Sequence, residues 1–352
     1  MERISYTGLL PGSFFNISDK IYENFPFKPE QNKSLISSLF QMEAAKNEIV
    51  IYTNHRDIRL VGIFPLNEDA AYFGFWETIN DAQLQAQAFT LLEEDAKKRN
   101  KTTLTGPVNF NTFHNYRLRV GNIPSWEMFD REPVNPPYYS ALLAQLNFYK
   151  KSGFESRLIC KENIPDLYTD KAGLLNDLSK ISFDFIPLNE ANWRIYEERI
   201  FELIHDIFSE TPLYKTISSD QFKLLYNHPF SRKLCPYSSV IFRDKISGKL
   251  AAISLCHPNY HSIYEEGTVP DFKRDFKHLN KKVLLVKTVG VHPDFRKQGL
   301  MNYLGAYAMW SFKDWYEEVI FCLMRSDNYS LHFTDRIKYE MATYILYEKR
   351  LQ

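Results

Sequence analysis

The sequence predicts an α/β protein with mixed sheets, built as two halves in tandem. Three observations carry that prediction. Apolar runs of strand length alternate with stretches of helical periodicity, and the alternation occurs twice along the chain. A length of 352 residues exceeds what one core comfortably serves and suits two domains. Between Lys161 and Lys180 the periodicity weakens and polar residues punctuate the chain, which puts the boundary near Asp170 and the halves at 1–170 and 171–352.

In the first half, Ile49 to Thr53 and Ile58 to Phe64 are expected as strands joined by a turn through Asn54 to Asp57, with Ala71 to Thr78 as a third. Asn80 or Asp81 caps a helix in which Leu84, Ala88, Leu91 and Leu92 recur at helical spacing as far as Arg99. Thr102 to Thr105 is a short strand ended by Gly106-Pro107, and Gly121 to Pro137 is rich in turn residues. Tyr138 to Lys151 reads as a helix stopped by Gly153.

The second half opens with a strand at Phe183 to Pro187, a long helix from Glu190 to Ile207 and a shorter one from Ser219 to Tyr226. Ser238 to Phe242 and Leu250 to Leu255 form a hairpin across Lys245-Ile246-Ser247-Gly248. Val283 to Val291 is a nearly continuous apolar strand. Gly299 to Trp315 follows as a helix, then Val319 to Met324 and Met341 to Tyr347 as strands.

Composition excludes several classes. Lys plus Arg and Asp plus Glu each number 43, so no global field gathers nucleic acid or an anionic membrane. The 15% of aromatic residues is explained first by packing in two cores and second by a greasy ligand channel. Cys160, Cys235, Cys256 and Cys322 are scattered, which suggests neither a zinc site nor disulfides, and no metal is expected. The N-terminus lacks a basic region followed by an apolar core, and no run approaches the ~18 apolar residues of a membrane span. A cytoplasmic location is expected.

The stretch from Lys287 to Met301 carries the chemistry. A strand ends at His292-Pro293 and passes through a polar loop into a helix, whose first N–H groups lack partners and carry partial positive charge. A pyrophosphate fits against the amides of Arg296, Lys297, Gln298, Gly299, Leu300 and Met301. Gly299 allows close approach, and the Arg296 and Lys297 side chains can add charge-assisted contacts. The plain alternative is that Gly299 only opens an exposed helix with solvated neighbours.

The run Val291-His-Pro293-Asp-Phe-Arg296-Lys-Gln-Gly299 resembles motif A of the GNAT superfamily of CoA-dependent N-acyltransferases. Its Gln/Arg-x-x-Gly-x-Gly/Ala signature is matched by Arg296 and Gly299, while Met301 replaces the last small residue. The resemblance implies that Val289 and Val291 bond the pantetheine arm and that an N–H near Val289 or Gly290 polarises the thioester carbonyl. It implies a cofactor contact from Asn328, with Tyr329, Ser330 and His332 as rival proton donors to the leaving thiolate.

The first half is similar to the same family. Phe148 to Phe154 matches the Tyr-x-x-x-Gly-Phe close of a family helix. Phe73 to Glu77, Gly106 to Asn109 and Pro136 to Tyr139 resemble segments of a bacterial tandem group. Its junction Trp76 to Ala82 has no glycine and no basic residue, so this half is expected to shape the acceptor site or support the fold without holding CoA.

Glu77, at a strand end, is a candidate base or a cap, and His257 is a candidate base or a structural histidine. The implied activity is transfer of an acyl group from acetyl-CoA or a longer acyl-CoA to a primary amine of a small molecule, amino acid or lipid. The alternatives are a non-catalytic acyl-CoA sensor and a structural tandem fold that partners another protein.

Overall fold

The computed structural model describes residues 1–29, 31–167, 169, 172–211, 214–265 and 268–351. Asp170, where the boundary was expected, lies outside them. The strands are β1 Glu2–Ser5, β2 Asn47–Thr53, β3 Ile58–Pro65, β4 Ala70–Thr78, β5 Thr103–Gly106, β6 Leu118–Val120, β7 Tyr149–Cys160, β8 Phe183–Pro187, β9 Val240–Asp244, β10 Leu250–Pro258, β11 Val283–Val291, β12 Glu318–Arg325 and β13 Glu340–Arg350. The α-helices are α1 Asn16–Ile21, α2 Lys33–Glu43, α3 Ala82–Lys98, α4 Tyr139–Gln145, α5 Ala172–Asp177, α6 Glu190–Phe208, α7 Ser219–Leu225, α8 His228–Arg232, α9 Phe272–Asp275 and α10 Leu300–Phe312.

The chain forms two compact units. One comprises Met1–Asn122, Arg131–Phe154 and Thr343–Gln352, and the other Ile123–Asp130 and Glu155–Ala342. Strands β7 and β13 contribute residues to both, so the last residues of the chain fold with the first unit.

In the first unit the strand order is β1-β2-β3-β4-β5-β13, with β6 also pairing β13. Strands β1 to β4 are antiparallel neighbours, and β5 lies parallel to β4. β3 is buried along its whole length, and its run of β-branched and apolar residues suits a strand covered on both faces. Helix α3 starts where the Asp81 carboxylate accepts the N–H groups of Gln83 and Leu84, both at 2.9 Å. It buries Ala88, Phe89, Leu92 and Ala96 in a cluster with Phe73, Trp76 and Phe148. Phe89 is fully enclosed there, and truncating it to alanine is expected to cost about 3–5 kcal/mol.

The second unit orders its strands β12-β11-β10-β9-β8, with β11 parallel to β12 and the other neighbours antiparallel. Successive residues of β11 point to opposite faces. On one face Gly290 lies so close to Ile207 of α6 that a Cβ would come within 2.5 Å of its side chain. On the other, Val289 and Val291 pack with Leu300 and Leu304 of α10. No helix among the described residues is long and apolar enough to cross a membrane.

One expected element is corrected. The helix predicted over Tyr138 to Lys151 ends at Gln145, and Phe148 to Phe154 does not close it: Tyr149 to Phe154 instead begins strand β7. The stop is Asn147, which takes the left-handed conformation at φ 63°. The N–H of Phe148 then bonds the Leu143 carbonyl and that of Asn147 the Ala144 carbonyl, the paired closure of a Schellman motif.

Candidate active site

Strand β11, Val-Leu-Leu-Val-Lys-Thr-Val-Gly-Val, is held on one side by β10 from Val286 to Val291 and beyond. Its parallel ladder with β12 runs only from Val283↔Glu318 to Val286↔Phe321. β11 continues to Val291, so Lys287 to Val291 have no ladder partner on the β12 side among the described residues. The β10 register also shifts here: Leu255 faces Thr288 and Cys256 faces Val286, which leaves Lys287 as the extra residue of a bulge. Val286 to Val289 are half-buried although they lie inside a sheet. The sheet therefore opens along this edge.

The open edge leads into the loop before α10. Pro293–Phe295 makes one 3-10 turn, and the His292 Nδ1 accepts the Asp294 N–H at 3.1 Å. Its Nε2 is then the donor, 3.2 Å from an Asp206 oxygen. Lys297 and Gly299 both have left-handed φ, 67° and 73°. Such a path makes successive N–H groups line a concavity that suits anions. Among the described residues, the N–H groups of Lys297, Gln298, Gly299, Leu300 and Met301 donate to no protein acceptor. The 13-residue α10 adds the positive end of its dipole at this point.

The side chains differ in their readiness. A Cβ at Gly299 would meet nothing within 4 Å, so the cradle is open. Lys297 and Gln298 are exposed. Arg296 is engaged elsewhere, with one nitrogen 2.5 Å from a Glu210 oxygen and another 3.2 Å from the Ile207 carbonyl at the end of α6. Met301, in place of a small residue, turns into the apolar core beside α10.

Asn328 follows β12 and precedes the 3-10 segment Tyr329–Thr334, with its side chain making no capping bond. Tyr329 is 56% exposed and its ring meets that of His332 edge-on at 5.0 Å. His332 pairs with Asp335 at 2.5 Å, and Ser330 is half-buried. These candidates share one turn.

His257 lies apart from that turn, on β10, and is only 3% exposed. Its Nδ1 donates to the Pro258 carbonyl at 2.8 Å. Burial, reinforced by Lys233, pushes its pKa well below the ordinary value, so the ring is neutral. Asp130 stands 3.7 Å from its Nε2 but is bound by Lys233 at 2.5 Å. His257 is enclosed by its own fold and does not present a base to solvent.

Glu77, in the first unit, is also buried. Its carboxylate accepts the Tyr139 hydroxyl at 2.8 Å and lies 3.9 Å from the Arg59 guanidinium. Burial raises its pKa, against Arg59 and Tyr139, which act to lower it. Glu77 thus stands in an internal ion pair, and the cap of α3 is Asp81.

The first unit contains the same opening in closed form. The β4–β5 ladder ends at Tyr72↔Thr105, and β4 runs on to Thr78. Here the chain itself fills the gap: Val108 N–H bonds the Phe73 carbonyl at 2.7 Å and the Asn109 side chain accepts the Phe75 N–H at 2.6 Å. Gly74 makes this possible, since a Cβ there would sit 2.2 Å from the Val108 carbonyl oxygen. The plug at Val108 and Asn109 was not read from the sequence, although the glycine pair Gly74 and Gly106 was its signal. Glu210, which restrains Arg296, left no signal of its own.

No protein-family model and no curated protein matches the chain. Solved structures do. A tandem GNAT protein from the clavulanic acid biosynthesis pathway aligns over 100% of this chain and 98% of its own, with TM-score 0.54 and 12% identity. A GCN5-related glucosamine N-acetyltransferase region of a fungal multi-domain β-N-acetylglucosaminidase aligns over 99% of this chain and 38% of that one, with TM-score 0.55 and 11% identity. A conserved Enterococcus faecalis protein of unknown function, described as a probable N-acyltransferase, gives TM-score 0.54 at 8% identity over 99% of this chain and 72% of its own.

Proposed function

The chain has a tandem GNAT fold, and we propose that it is an N-acyltransferase that uses acyl-CoA as donor and a primary amine as acceptor. The observation that carries the reading is the contrast between the two units. In the second, the sheet opens at Val286↔Phe321 beside five N–H groups at a helix N-terminus that have no acceptor among the described residues, whereas in the first the matching gap is plugged by Val108 and Asn109. A pyrophosphate held by Lys297 to Met301 sends the pantetheine arm along Val291 and Val289, where strand-like hydrogen bonds are available.

A neutral amine attacks the thioester carbon. The C–N bond forms, the carbonyl oxygen gains charge, and an N–H near Val289 or Gly290 donates to it, a term worth about 3 kcal/mol in comparable sites. The C–S bond then breaks, the new amide nitrogen gives up its surplus proton to solvent, and the thiolate takes a proton, with Tyr329 first among the donors and Ser330 and His332 its rivals. Asn328 steadies the arm at the same turn. His257 and Glu77 take no part, being enclosed and engaged. The acceptor is a small-molecule, amino-acid or lipid amine, and the site calls for no metal.

A sensor that binds acyl-CoA without turnover is favoured by one observation: Asn328, Tyr329 and His332 are solvent-exposed. Release of free thiol from acetyl-CoA in the presence of a panel of primary amines separates the two. Amine-dependent thiol release supports the enzyme, and tight CoA binding with no release across the panel supports the sensor.

A further inference from the structure

We propose that an apolar pocket beneath the open edge of β11 receives the donor's acyl tail, so that the chain prefers aliphatic acyl groups longer than acetyl. The proposal rests on the CoA reading above and extends it to the donor. Val286 and Val289 of β11, Ser254 and Cys256 of β10, and Gly305 and Ala308 of α10 line the pocket. Both the open strand and the helix that carries the cradle therefore contribute walls. Gly305 lies six residues from Gly299, roughly 9 Å along the helix axis, so the pocket starts close to the cradle.

The lining chemistry selects the guest. Among the described residues, the polar side-chain atoms at the pocket are the Ser254 hydroxyl and the Cys256 thiol, which lie 3.3 Å apart and share one hydrogen bond. Burial drives the Cys256 pKa far up, so the thiol is neutral and is no nucleophile. A charged or polar guest would find no partner there, while an alkyl chain loses nothing.

Small residues line the helix side of the pocket. A Cβ at Gly305 would approach the Phe333 ring to 2.9 Å, so helix and ring meet only because that side chain is missing. Three residues on, Ala308 presents a methyl group where a longer side chain would occupy the space.

The test is calorimetric titration of the full chain with CoA, acetyl-CoA, butyryl-CoA and hexanoyl-CoA, which needs no acceptor. Each methylene taken into the pocket should tighten binding about fourfold until the space is full, so hexanoyl-CoA should bind at least tenfold tighter than acetyl-CoA. Ala308→Phe should abolish that gain while free CoA binds within twofold of wild type. Ala308→Leu, a gentler filling, should show the same pattern in part if the larger ring perturbs folding. Equal affinities for acetyl-CoA and hexanoyl-CoA in the wild type would overturn the proposal while leaving the CoA site intact. So would variants that weaken free CoA as much as hexanoyl-CoA, because the pocket would then hold the pantetheine arm. Failure of free CoA to bind the wild type would overturn the CoA reading itself, and this proposal with it.

Discussion

Replacing Gly299 by glutamate separates two costs that the structure keeps distinct. The residue has φ 73°, and a side chain in the left-handed region costs roughly 1–2 kcal/mol. A Cβ there meets nothing within 4 Å, so no packing cost is added. At about 2–4 °C per kcal/mol for a domain of this size, the melting temperature should fall by only a few degrees. The effect on ligand is larger, because a carboxylate then stands against the pyrophosphate at the cradle. CoA affinity should fall at least tenfold, a loss of about 1.4 kcal/mol. Gly299→Asn, which tolerates left-handed backbone and adds no charge, should lose less on both counts. Calorimetric titration with CoA and thermal unfolding by circular dichroism read the two costs. A folded Gly299→Glu protein with wild-type CoA affinity would refute the cradle.

Three further outcomes are expected. Glu210→Gln should release Arg296 toward the phosphates and, since an exposed ion pair is worth up to ~1 kcal/mol, raise CoA affinity by as much as about fivefold with a steeper salt dependence; unchanged affinity would show that Arg296 does not reach the ligand. Tyr329→Phe should lower kcat roughly a hundredfold with CoA affinity intact, and normal turnover would pass the proton to Ser330 or His332. His114, lowered to about 3 by burial, and His257, also lowered by burial, are neutral in the fold and take up protons on unfolding. Stability should thus be full above about pH 6.5 and fall below it by up to ~1.4 kcal/mol per pH unit for each histidine. Urea unfolding of His257→Gln should show a shallower slope, and equal slopes in variant and wild type would contradict the assignment.

The second unit was the more legible of the two because its signals are local. The run from Val283 to Val291 reads as a buried strand from its residues alone, and Gly299 marks the left-handed start of α10. Of Asn80 and Asp81, both legible as caps, Asp81 opens α3. What escaped depends on partners far along the chain. Asn147 is a visible stop signal, yet the expected helix runs on through Tyr149 to Lys151, because these aromatic and basic residues carry no strong alternation before the apolar Leu158 and Ile159. That β13 completes the first unit is a matter of pairing across hundreds of residues, Tyr347 with Gly106 and Arg350 with Thr103, which no local pattern encodes. The same is true of the site. The cradle could be read in order from Arg296 to Met301, whereas the burial of His257 and Glu77 against Pro258, Arg59 and Tyr139 depends on partners that their own sequence positions do not announce.

The most direct test of the account is amide hydrogen exchange of the full chain with and without CoA. Among the described residues, the N–H groups of Lys297 to Met301 have no protein acceptor, and Lys287 to Val291 lack a partner strand on one side. CoA should therefore slow exchange in the segments 287–291 and 297–302 and leave 73–78 and 107–109, already bonded to each other, unchanged. Protection appearing in 73–78, or absent from 297–302 at saturating CoA, would contradict the assignment of the donor site to the second unit.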